Sequence, residues 1–407
     1  MKKAMLQSLE LFTGAGGLAL GLSMAGFKPV AVVERDRWAC DTIRENQARD
    51  FPLVRDWPLF ECDVREFDMS VVPEGIDLIA GGPPCQPFSQ GGKHRGFSDT
   101  RDMLPVMVEF VRKVRPKAFI IENVKGLTRP SFSSYLTYIL LQLTHPELAP
   151  KPDEEWTDHL ARLQTLDTSS PRHGLTYNVV HEVLNAANFG VPQRRERVFI
   201  VGFRSDIDAR WSFPRETHSL DALLAQQHIT GEYWDRHQIK RTVRNQPLGR
   251  FGQRVDRLRQ SNLLLDHAPW RTVRDAIGSM PDPEAGAGIF RDHRFQPGAR
   301  TYTGHTGSDL DLPAKTLKAG DHGVPGGENM FVKDDGSVRY FTVRESARLQ
   351  TFPDGYAFHG AWGEAMRQLG NAVPVSLGRT VGASVARRLI EWKERDLKQQ
   401  FQASLER

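Results

Sequence analysis

Short apolar runs alternate with amphipathic segments through the first half of the chain, and this alternation constrains the fold more than any other feature. The predicted strands are Ser8–Phe12, Pro29–Glu34, Ile76–Ala80, Ala118–Glu122 and Val198–Phe203. Apolar residues recur every three or four positions in the predicted helices, at Gly17–Ala25, Trp38–Gln47 and Met103–Arg112. Strands that alternate with helices indicate an α/β fold with a doubly wound, mostly parallel sheet.

The regular alternation fades beyond residue 204. Residues 204–340 are rich in Arg, Gln, Gly, Pro and Asp and have no long helical period, so we predict a second, smaller domain there. Pro374–Lys398 forms an amphipathic pattern again, and this helix is predicted to pack back on the first domain. The first domain therefore comprises residues 1–203 and 341–407. Residues 145–174 contain few apolar side chains and are predicted to be a loop insertion.

The cysteine content argues against a disulfide-stabilised protein and against a metal site built from paired cysteines. Cys40, Cys62 and Cys85 are the only cysteines, and an odd number at wide spacing fits neither a disulfide framework nor a paired metal site. No metal is therefore predicted. The chain shows neither a secretory signal nor an apolar stretch long enough to span a bilayer, so we expect a cytoplasmic protein without membrane contact.

The charge of the chain is informative only in its distribution. The net charge is +4, but residues 231–260 carry eight Lys and Arg against three acidic residues. A solvated helix face and a nucleic-acid contact both explain such a basic run. The choice between them depends on the rest of the site.

The run Phe12-Thr13-Gly14-Ala15-Gly16-Gly17-Leu18 joins a predicted strand to a predicted helix. Its glycines allow the backbone to approach a ligand, and the helix offers free amide groups. Ala19 stands where a dinucleotide fingerprint requires its third glycine. Glu34 ends the second strand, where an acid binds ribose hydroxyls, and Asp63 is placed to bind an adenine amino group. A nucleoside cofactor is predicted; nicotinamide dinucleotide and S-adenosylmethionine both remain open.

Cys85 lies in Gly81-Gly82-Pro83-Pro84-Cys85-Gln86, directly after a predicted strand. The carboxyl ends of parallel strands face the ligand crevice of such a sheet. Two prolines fix the approach to this cysteine, whereas Gly91–Asp99 is predicted to be a mobile loop. Buried structural cysteines seldom stand in such a place, so we interpret Cys85 as a catalytic nucleophile.

Two further elements end at the same edge of the sheet. Glu122 closes the strand that precedes Asn123 and Val124, and an ionisable group beside a nucleophile suits an acid catalyst. Arg195 and Arg197 precede the last predicted strand and point the same way in an extended chain. Two arginines aimed at this crevice suit an anionic or carbonyl-bearing substrate.

These segments together resemble the motif series of the carbon-5 cytosine DNA methyltransferases, of the bacterial restriction-modification type. The resemblance covers nearly the whole chain, and the six motifs follow the family's order. They are Phe12-Thr13-Gly14-Ala15-Gly16-Gly17, Pro83-Pro84-Cys85-Gln86, Glu122-Asn123-Val124, Gln193-Arg194-Arg195-Glu196-Arg197, Arg344-Glu345-Ser346-Ala347-Arg348-Leu349-Gln350 and Gly370-Asn371-Ala372-Val373. The segment 204–340 falls where the family has its target recognition domain, and Thr316-Leu317 resembles a recurrent element within it.

The resemblance implies a reaction and a cofactor, S-adenosylmethionine. The Cys85 thiolate would add to carbon 6 of cytosine, and Glu122 would stabilise the protonated ring nitrogen 3. Arg197 would hold the cytosine carbonyl, and Arg195 would support the Cys85 side. The cofactor pocket would be lined by Phe12, Glu34, Asp63, Pro84, Leu104 and Asn371, together with Gly14, Gly16, Gly17 and Leu18. Arg35 departs from the family, which often has a Trp after the ribose acid.

The resemblance also implies duplex DNA as the partner. A cytosine within the double helix must be flipped out before it can react. Residues 86–101, with Gln86 and Ser89, would form a lid over it, and the basic run, with Arg241 and Arg244, would contact phosphates. Thr316 and Leu317 are further candidate DNA contacts. We expect a monomer, with a cognate restriction endonuclease as a possible partner acting on the same sequence.

Three other functions are considered. The first is an RNA methyltransferase of the same chemistry that acts on transfer RNA, although the long second domain favours duplex DNA. The second is a catalytically inactive DNA-binding relative, which the intact Cys85, Glu122 and arginines disfavour. The third is a nicotinamide-dependent oxidoreductase, which only the glycine turn supports.

Overall fold

The computed structural model describes residues 5–84, 102–169, 174–207, 209–240, 249–260, 266–286, 289–319 and 327–405. A seven-stranded sheet of order β3-β2-β1-β4-β5-β7-β6 lies at its centre. Its strands are β1 (Leu6–Leu11), β2 (Phe27–Glu34), β3 (Leu59–Glu61), β4 (Leu78–Gly81), β5 (Ala118–Val124), β6 (Tyr177–Asn185) and β7 (Glu196–Arg204). Strands β1 to β5 run parallel, and β7 is antiparallel to both β5 and β6. The predicted doubly wound, mostly parallel sheet is confirmed.

Helices cover both faces of this sheet because alternate strand residues point to opposite sides. Leu9 and Leu11 of β1 join one apolar cluster, whereas Leu6 joins the cluster on the other face. The helices that follow the first strands are α1 (Gly17–Met24), α2 (Arg37–Ala48), α3 (Leu104–Val114), α4 (Ser133–Thr144) and α5 (Trp156–Ser169). The last three helices are α10 (Val343–Leu349), α11 (Trp362–Asn371) and α12 (Val375–Leu405). None of the described helices is long and apolar enough to span a membrane.

Short elements make up the region between β7 and α10. The helices are α6 (Leu220–Ala225), α7 (Glu232–Arg236), α8 (Gly252–Gln260) and α9 (Val273–Ile277). The strands are β8 (His218–Ser219), β9 (Ala268–Pro269), β10 (Ser308–Asp309), β11 (Met330–Val332) and β12 (Val338–Tyr340). Leu223, Tyr233 and Trp234 form a small apolar cluster of their own, whereas Ala314 and Leu317 belong to a cluster shared with α1.

Helices α1 and α12 pack at unusually close range. A Cβ on Gly17 would lie 2.3 Å from the carbonyl oxygen of Val373, and one on Gly21 would lie 2.6 Å from that of Val375. Only glycine fits at these two positions. The C-terminal helix is thereby held against the helix that begins at the glycine turn, as the amphipathic pattern predicts.

The predicted loop at 145–174 is wrong, because α5 occupies residues 156–169. A few buried residues suffice to hold this helix on α4. Leu163 is fully buried, and His159 contacts the Tyr138 hydroxyl at 2.9 Å and the Leu148 carbonyl oxygen at 2.8 Å. The polar residues of the segment lie on the exposed side of the helix. Because few apolar residues recur along the segment, the sequence shows no helical period there.

Tyr356 connects the C-terminal segment to the glycine turn. Its hydroxyl, fully buried, donates a hydrogen bond of 2.7 Å to the carbonyl oxygen of Ala15. We expect Tyr356→Phe to lower the free energy of unfolding by about 1–2 kcal/mol, because the buried carbonyl loses its partner. Denaturant unfolding measures this, with the exposed Tyr302→Phe as control. Equal stability of the two variants would contradict the prediction.

Candidate active site

The carboxyl ends of β1, β2, β4 and β5 open into one cleft of about 480 Å³. This volume lies in the range of small-molecule sites. Predicted cofactor and catalytic residues meet there: Phe12, Gly14, Gly17, Leu18, Glu34, Asp63, Pro84, Glu122, Arg197 and Asn371. Gly16 and Leu104 do not line it. Gly16 lies behind the turn against Trp57, and Leu104 is fully buried beside Met103, which does line the cleft.

The glycine turn has a strained backbone. Phe12, a residue with a side chain, adopts a φ of 53° directly after β1, and Gly14 follows with a φ of 56°. Such conformations persist only where the surroundings enforce them, and they are concentrated at ligand sites. Here Glu34 enforces the turn, since its Oε2 accepts a hydrogen bond of 2.7 Å from the Gly14 amide.

Glu34 is itself fixed by backbone amides. Its Oε1 accepts hydrogen bonds of 2.8 Å from the amides of Arg35 and Asp36. Burial raises the pKa of Glu34 above its ordinary value, although these amides and that of Gly14 oppose the rise. The carboxyl group is thus held rigid at the cleft wall with lone pairs left for a ligand hydroxyl.

Asp63 lies at the cleft but is occupied by two arginines. Its carboxylate is 3.2 Å from Arg35 and 2.7 Å from Arg65. The Arg65 hydrogen bond is the main reason that the pKa of Asp63 is far below its ordinary value. An adenine amino group at this carboxylate would have to share it with both guanidinium groups. Because Arg35 pairs with Asp63, its side chain would lie beside such an adenine.

These features fit a nucleoside cofactor. A rigid acid at the end of β2, a strained glycine turn and a cleft of this size are features that would suit a ribose and a close approach of the backbone to a ligand. Asn371, the last residue of α11, lies exposed at the same cleft. The arrangement supports the predicted location of the cofactor.

Glu122 and Arg197 are the two predicted catalytic residues that line the cleft. They lie on the adjacent strands β5 and β7, and Arg197 Nε is 3.0 Å from Glu122 Oε1. That oxygen is buried and accepts no aligned hydrogen bond in the described structure. Burial raises the pKa of Glu122 above its ordinary value, while Arg197 and Arg195 oppose the rise. A carboxyl group whose pKa is raised in this way holds a proton more readily than an exposed one and can present it to a ligand.

The segment that leads to Cys85 is anchored beside Glu122. A Cβ on Gly82 would lie 3.2 Å from Glu122 Oε2, and Asn123 Nδ2 donates a hydrogen bond of 3.1 Å to the Pro83 carbonyl oxygen. The Met103 amide donates to the Pro84 carbonyl oxygen at 3.2 Å. Residues 84 and 103 therefore meet beside the cleft. Several predicted site residues lie outside the described residues. They are Cys85, Gln86 and Ser89, with the predicted lid 86–101, and also Arg241 and Arg244.

Arg195 is placed differently from Arg197. It is fully buried, and it donates hydrogen bonds of 3.3 Å to the Leu317 carbonyl oxygen and 2.8 Å to that of Gly370. It does not line the cleft; it ties two backbone segments together, and its charge favours the ionised form of Glu122. Leu317 is buried in the core, and the Thr316 hydroxyl donates to the Arg194 carbonyl oxygen at 2.6 Å. Thr316 and Leu317, which were predicted to contact DNA, thus connect their own segment to the segment of Arg194 and Arg195.

Three residues that the sequence interpretation passed over also support the site. Asn123 fixes Pro83, and Gln193 accepts a hydrogen bond of 3.0 Å from the Leu317 amide. Gln350 bonds to Gln193 at 3.2 Å. All three stand within the quoted motifs, so membership of those motifs was the available signal.

Glu10, on β1, is a buried acidic residue that lines the cleft. Its Oε1 accepts a hydrogen bond of 2.7 Å from Ser8 Oγ, and burial raises its pKa from 4.5 to about 7. The stability contributed by the neutral carboxyl group is complete below pH 4.5 and is lost as the pH rises to about 7. We expect Glu10→Gln to remove this part of the pH dependence of unfolding, whereas the exposed Glu182→Gln keeps it. Parallel stability curves for Glu10→Gln and the parent protein would contradict this.

Solved structures with the same fold define the class. The chain superposes on a mutant of Spodoptera frugiperda DNMT2 with a TM-score of 0.56 and 16% identity, covering 93% of this chain and 99% of that one. The S. pombe Dnmt2 methyltransferase gives a TM-score of 0.53 at 16% identity, covering 94% and 98% of the two chains. The fold is that of an α/β methyltransferase.

Sequence comparison adds the family. The profile of the C-5 cytosine-specific DNA methylases matches residues 6–146 and 172–387. Type II methyltransferase M.Eco47II of Escherichia coli is 33% identical over 386 residues, 93% of this chain and 78% of the relative. Type II methyltransferase M.PspPI of Psychrobacter sp. is 30% identical over 388 residues, 94% of this chain and 79% of the relative. This chain belongs to the C-5 cytosine-specific DNA methylase family, and its enzyme class is DNA (cytosine-5-)-methyltransferase.

Proposed function

We propose that this protein methylates carbon 5 of one cytosine in a short duplex DNA sequence as part of a type II restriction-modification system. The observation that carries the proposal is Glu122. It is buried in the cleft, its Oε1 lies 3.0 Å from Arg197 Nε, and among the described residues that oxygen accepts no aligned hydrogen bond. Its relatives M.Eco47II and M.PspPI are type II methyltransferases, and a cognate endonuclease for the same sequence is the corresponding partner.

S-adenosylmethionine is the proposed cofactor. Glu34 would hold the ribose hydroxyls, and the backbone from Phe12 to Gly14 would approach the ligand closely. When bound, S-adenosylmethionine supplies an electrophilic methyl group. The nicotinamide alternative has less support, because the dinucleotide glycine spacing is missing at Ala19.

The chain's own residues would activate the cytosine. The Cys85 thiolate adds to carbon 6, and Glu122 keeps a proton at ring nitrogen 3, which removes the charge that opposes addition. Carbon 5 thereby becomes nucleophilic. Arg197 is placed beside Glu122 to hold the ring carbonyl oxygen, since its Nε already lies within 3.0 Å of that carboxyl group. Once carbon 5 carries the methyl group, it would lose its proton to a base, the Cys85 sulfur would leave as a thiolate, and Glu122 would recover the proton from ring nitrogen 3, which restores the aromatic ring.

The cytosine reaches this cleft by flipping out of the duplex, because the buried Glu122 cannot contact a stacked base. Residues 204–340 would read the sequence, and 86–101 would close over the base. We propose that the protein acts as a monomer. The backbone pairing of Gln193 with Ala314 supports a fixed position of the recognition region beside the cleft.

Covalent trapping tests this proposal. On duplex DNA in which 5-fluorocytosine replaces cytosine, the fluorine blocks the final elimination, so the parent protein should form a complex that survives denaturing electrophoresis. Cys85→Ser should form none while retaining cofactor binding. Equal trapping of both proteins would refute Cys85 as nucleophile, and trapping only on transfer RNA would replace DNA as the substrate.

A further inference from the structure

Backbone pairing places two cationic residues side by side where the segment before β7 meets residue 314. The Arg194 amide donates a hydrogen bond of 2.9 Å to the Ala314 carbonyl oxygen, and the Ala314 amide donates one of 3.0 Å to that of Pro192. Gln193, Arg195 and Ala314 point into the core, where all three are fully buried. Arg194 and Lys315, which alternate with these residues, are only partly buried. Their side chains therefore lie on the outer side of the same junction.

The Arg194 guanidinium group is incompletely satisfied. Its Nε is buried and has no hydrogen-bond partner in the described structure. Burial is the main reason that the pKa of Arg194 is lowered, and Arg250 lies close enough to lower it further. Burial is also the main reason that the pKa of Lys315 is lowered, and Arg194 lowers it further while Glu328 opposes the shift. Three cations thus lie near one another, and their combined charge attracts an anionic ligand.

The nearby acids leave room for such an anion. Glu196 is the acid that favours the charged form of Arg194, but its carboxylate is already paired with Lys125 at 2.8 Å. Glu328 is near Lys315, and Asp309 is near Arg250. None of these carboxylates forms an ion pair of 4.0 Å or less with Arg194 in the described structure, so its guanidinium retains donors for an external oxygen.

We infer that Arg194 and Lys315, with Arg250 beside them, bind backbone phosphates of the duplex that donates its cytosine to the cleft. This inference rests on the proposed function. Arg194 stands three residues before Arg197, which lines the cleft, so their α-carbons are at most about 10 Å apart along the chain. A planar guanidinium fits phosphate oxygens through paired hydrogen bonds, and the lysine adds a point charge.

Two roles follow for the junction. On the inner side, hydrogen bonds of Gln193 and Arg195 to Leu317 hold the junction together. On the outer side, Arg194 and Lys315 bind the phosphates of the DNA strand. The contact carries no sequence information, because phosphates are alike at every step of the duplex. It would hold the backbone in register while the base is extruded.

The salt dependence of DNA binding tests the inference without knowledge of the target sequence. Fluorescence anisotropy of a labelled mixed-sequence duplex is measured from about 50 to about 200 mM salt for the parent, Arg194→Gln, Lys315→Gln and the double variant. Each lost phosphate contact should reduce the slope of log affinity against log salt by about 0.9, and the double variant should lose about 1.8.

Two control variants each remove a cation that is close to acidic residues elsewhere on the surface. Arg55→Gln removes an exposed cation close to Asp50 and Asp56, and Lys113→Gln removes one paired with Glu109. Both should keep the parent slope. Thermal unfolding and S-adenosylmethionine binding verify that all variants remain folded.

The outcomes separate this inference from the proposed function. A parent protein that binds and methylates duplex DNA, with an unchanged slope in the folded double variant, overturns only the phosphate contacts. A parent protein that neither binds duplex DNA in a salt-dependent manner nor methylates it overturns both. A reduced slope in the double variant with parental slopes in both controls supports the inference.

Discussion

Glu122→Gln is expected to slow methyl transfer by a factor of about 10² to 10⁴, the usual contribution of a positioned acid. Glutamine keeps the shape of the side chain but cannot supply a proton to ring nitrogen 3. The rate is measured in a single turnover with labelled S-adenosylmethionine and saturating DNA, so that product release does not hide the effect. Affinity for the cofactor should change little, because the proposed ribose acid, Glu34, lies on a different strand, β2.

The control is Glu182→Gln, because Glu182 and Glu122 both pair with Phe199 in the sheet, but Glu182 is exposed on the edge strand. The raised pKa of Glu122 adds a second signature. The protonated fraction falls as the pH rises through this pKa, so the parent rate should decline there and the rate of Glu122→Gln should not. Since the change also removes the acid facing Arg197, thermal unfolding is recorded, and rates are measured where both proteins are folded. A variant rate within threefold of the parent would contradict the role of Glu122.

Glu34→Ala should weaken S-adenosylmethionine binding by about a hundredfold or more, because each 1.4 kcal/mol corresponds to about tenfold in affinity. Two hydrogen bonds from ribose hydroxyls to a carboxylate contribute about 1.5–3 kcal/mol each, and loss of the Gly14 contact also releases the strained turn. Isothermal titration with S-adenosylmethionine measures the change. Parallel titration of the parent with a nicotinamide dinucleotide should show no binding.

The matched control is Glu61→Ala. Glu61 pairs with Glu34 in the register of β2 and β3, but its side chain contacts Arg44 instead of the cleft. Equal affinity of Glu34→Ala and Glu61→Ala for S-adenosylmethionine would exclude Glu34 as the ribose acid. Tight dinucleotide binding by the parent would point to a different cofactor.

The central strands could be predicted from sequence because they are buried on both faces and form continuous apolar runs. β6 was not predicted, since it is an edge strand whose middle residues His181 and Glu182 face solvent. α5 was wrongly predicted to be a loop because few of its side chains are buried. Periodicity reports burial, so elements with a small buried face escape it.

The cleft could be predicted for a related reason. Glu34 ends β2 and Glu122 lies two residues before the end of β5, and the carboxyl ends of parallel strands meet at one edge of the sheet. The supporting contacts could not be predicted, because they join distant parts of the chain: Tyr356 reaches Ala15, and Arg195 reaches Leu317 and Gly370. Leu317 shows the limit, since a motif match suggested a DNA contact where the structure has a core residue.

Bisulfite sequencing of plasmid DNA from cells that express the parent protein or Cys85→Ala tests the central claim most directly. The account predicts that a single short sequence contains a protected cytosine in the parent sample, with none protected in the variant sample. No protected cytosine with the parent protein, or the same protection with Cys85→Ala, would contradict cytosine-5 methylation of DNA through Cys85.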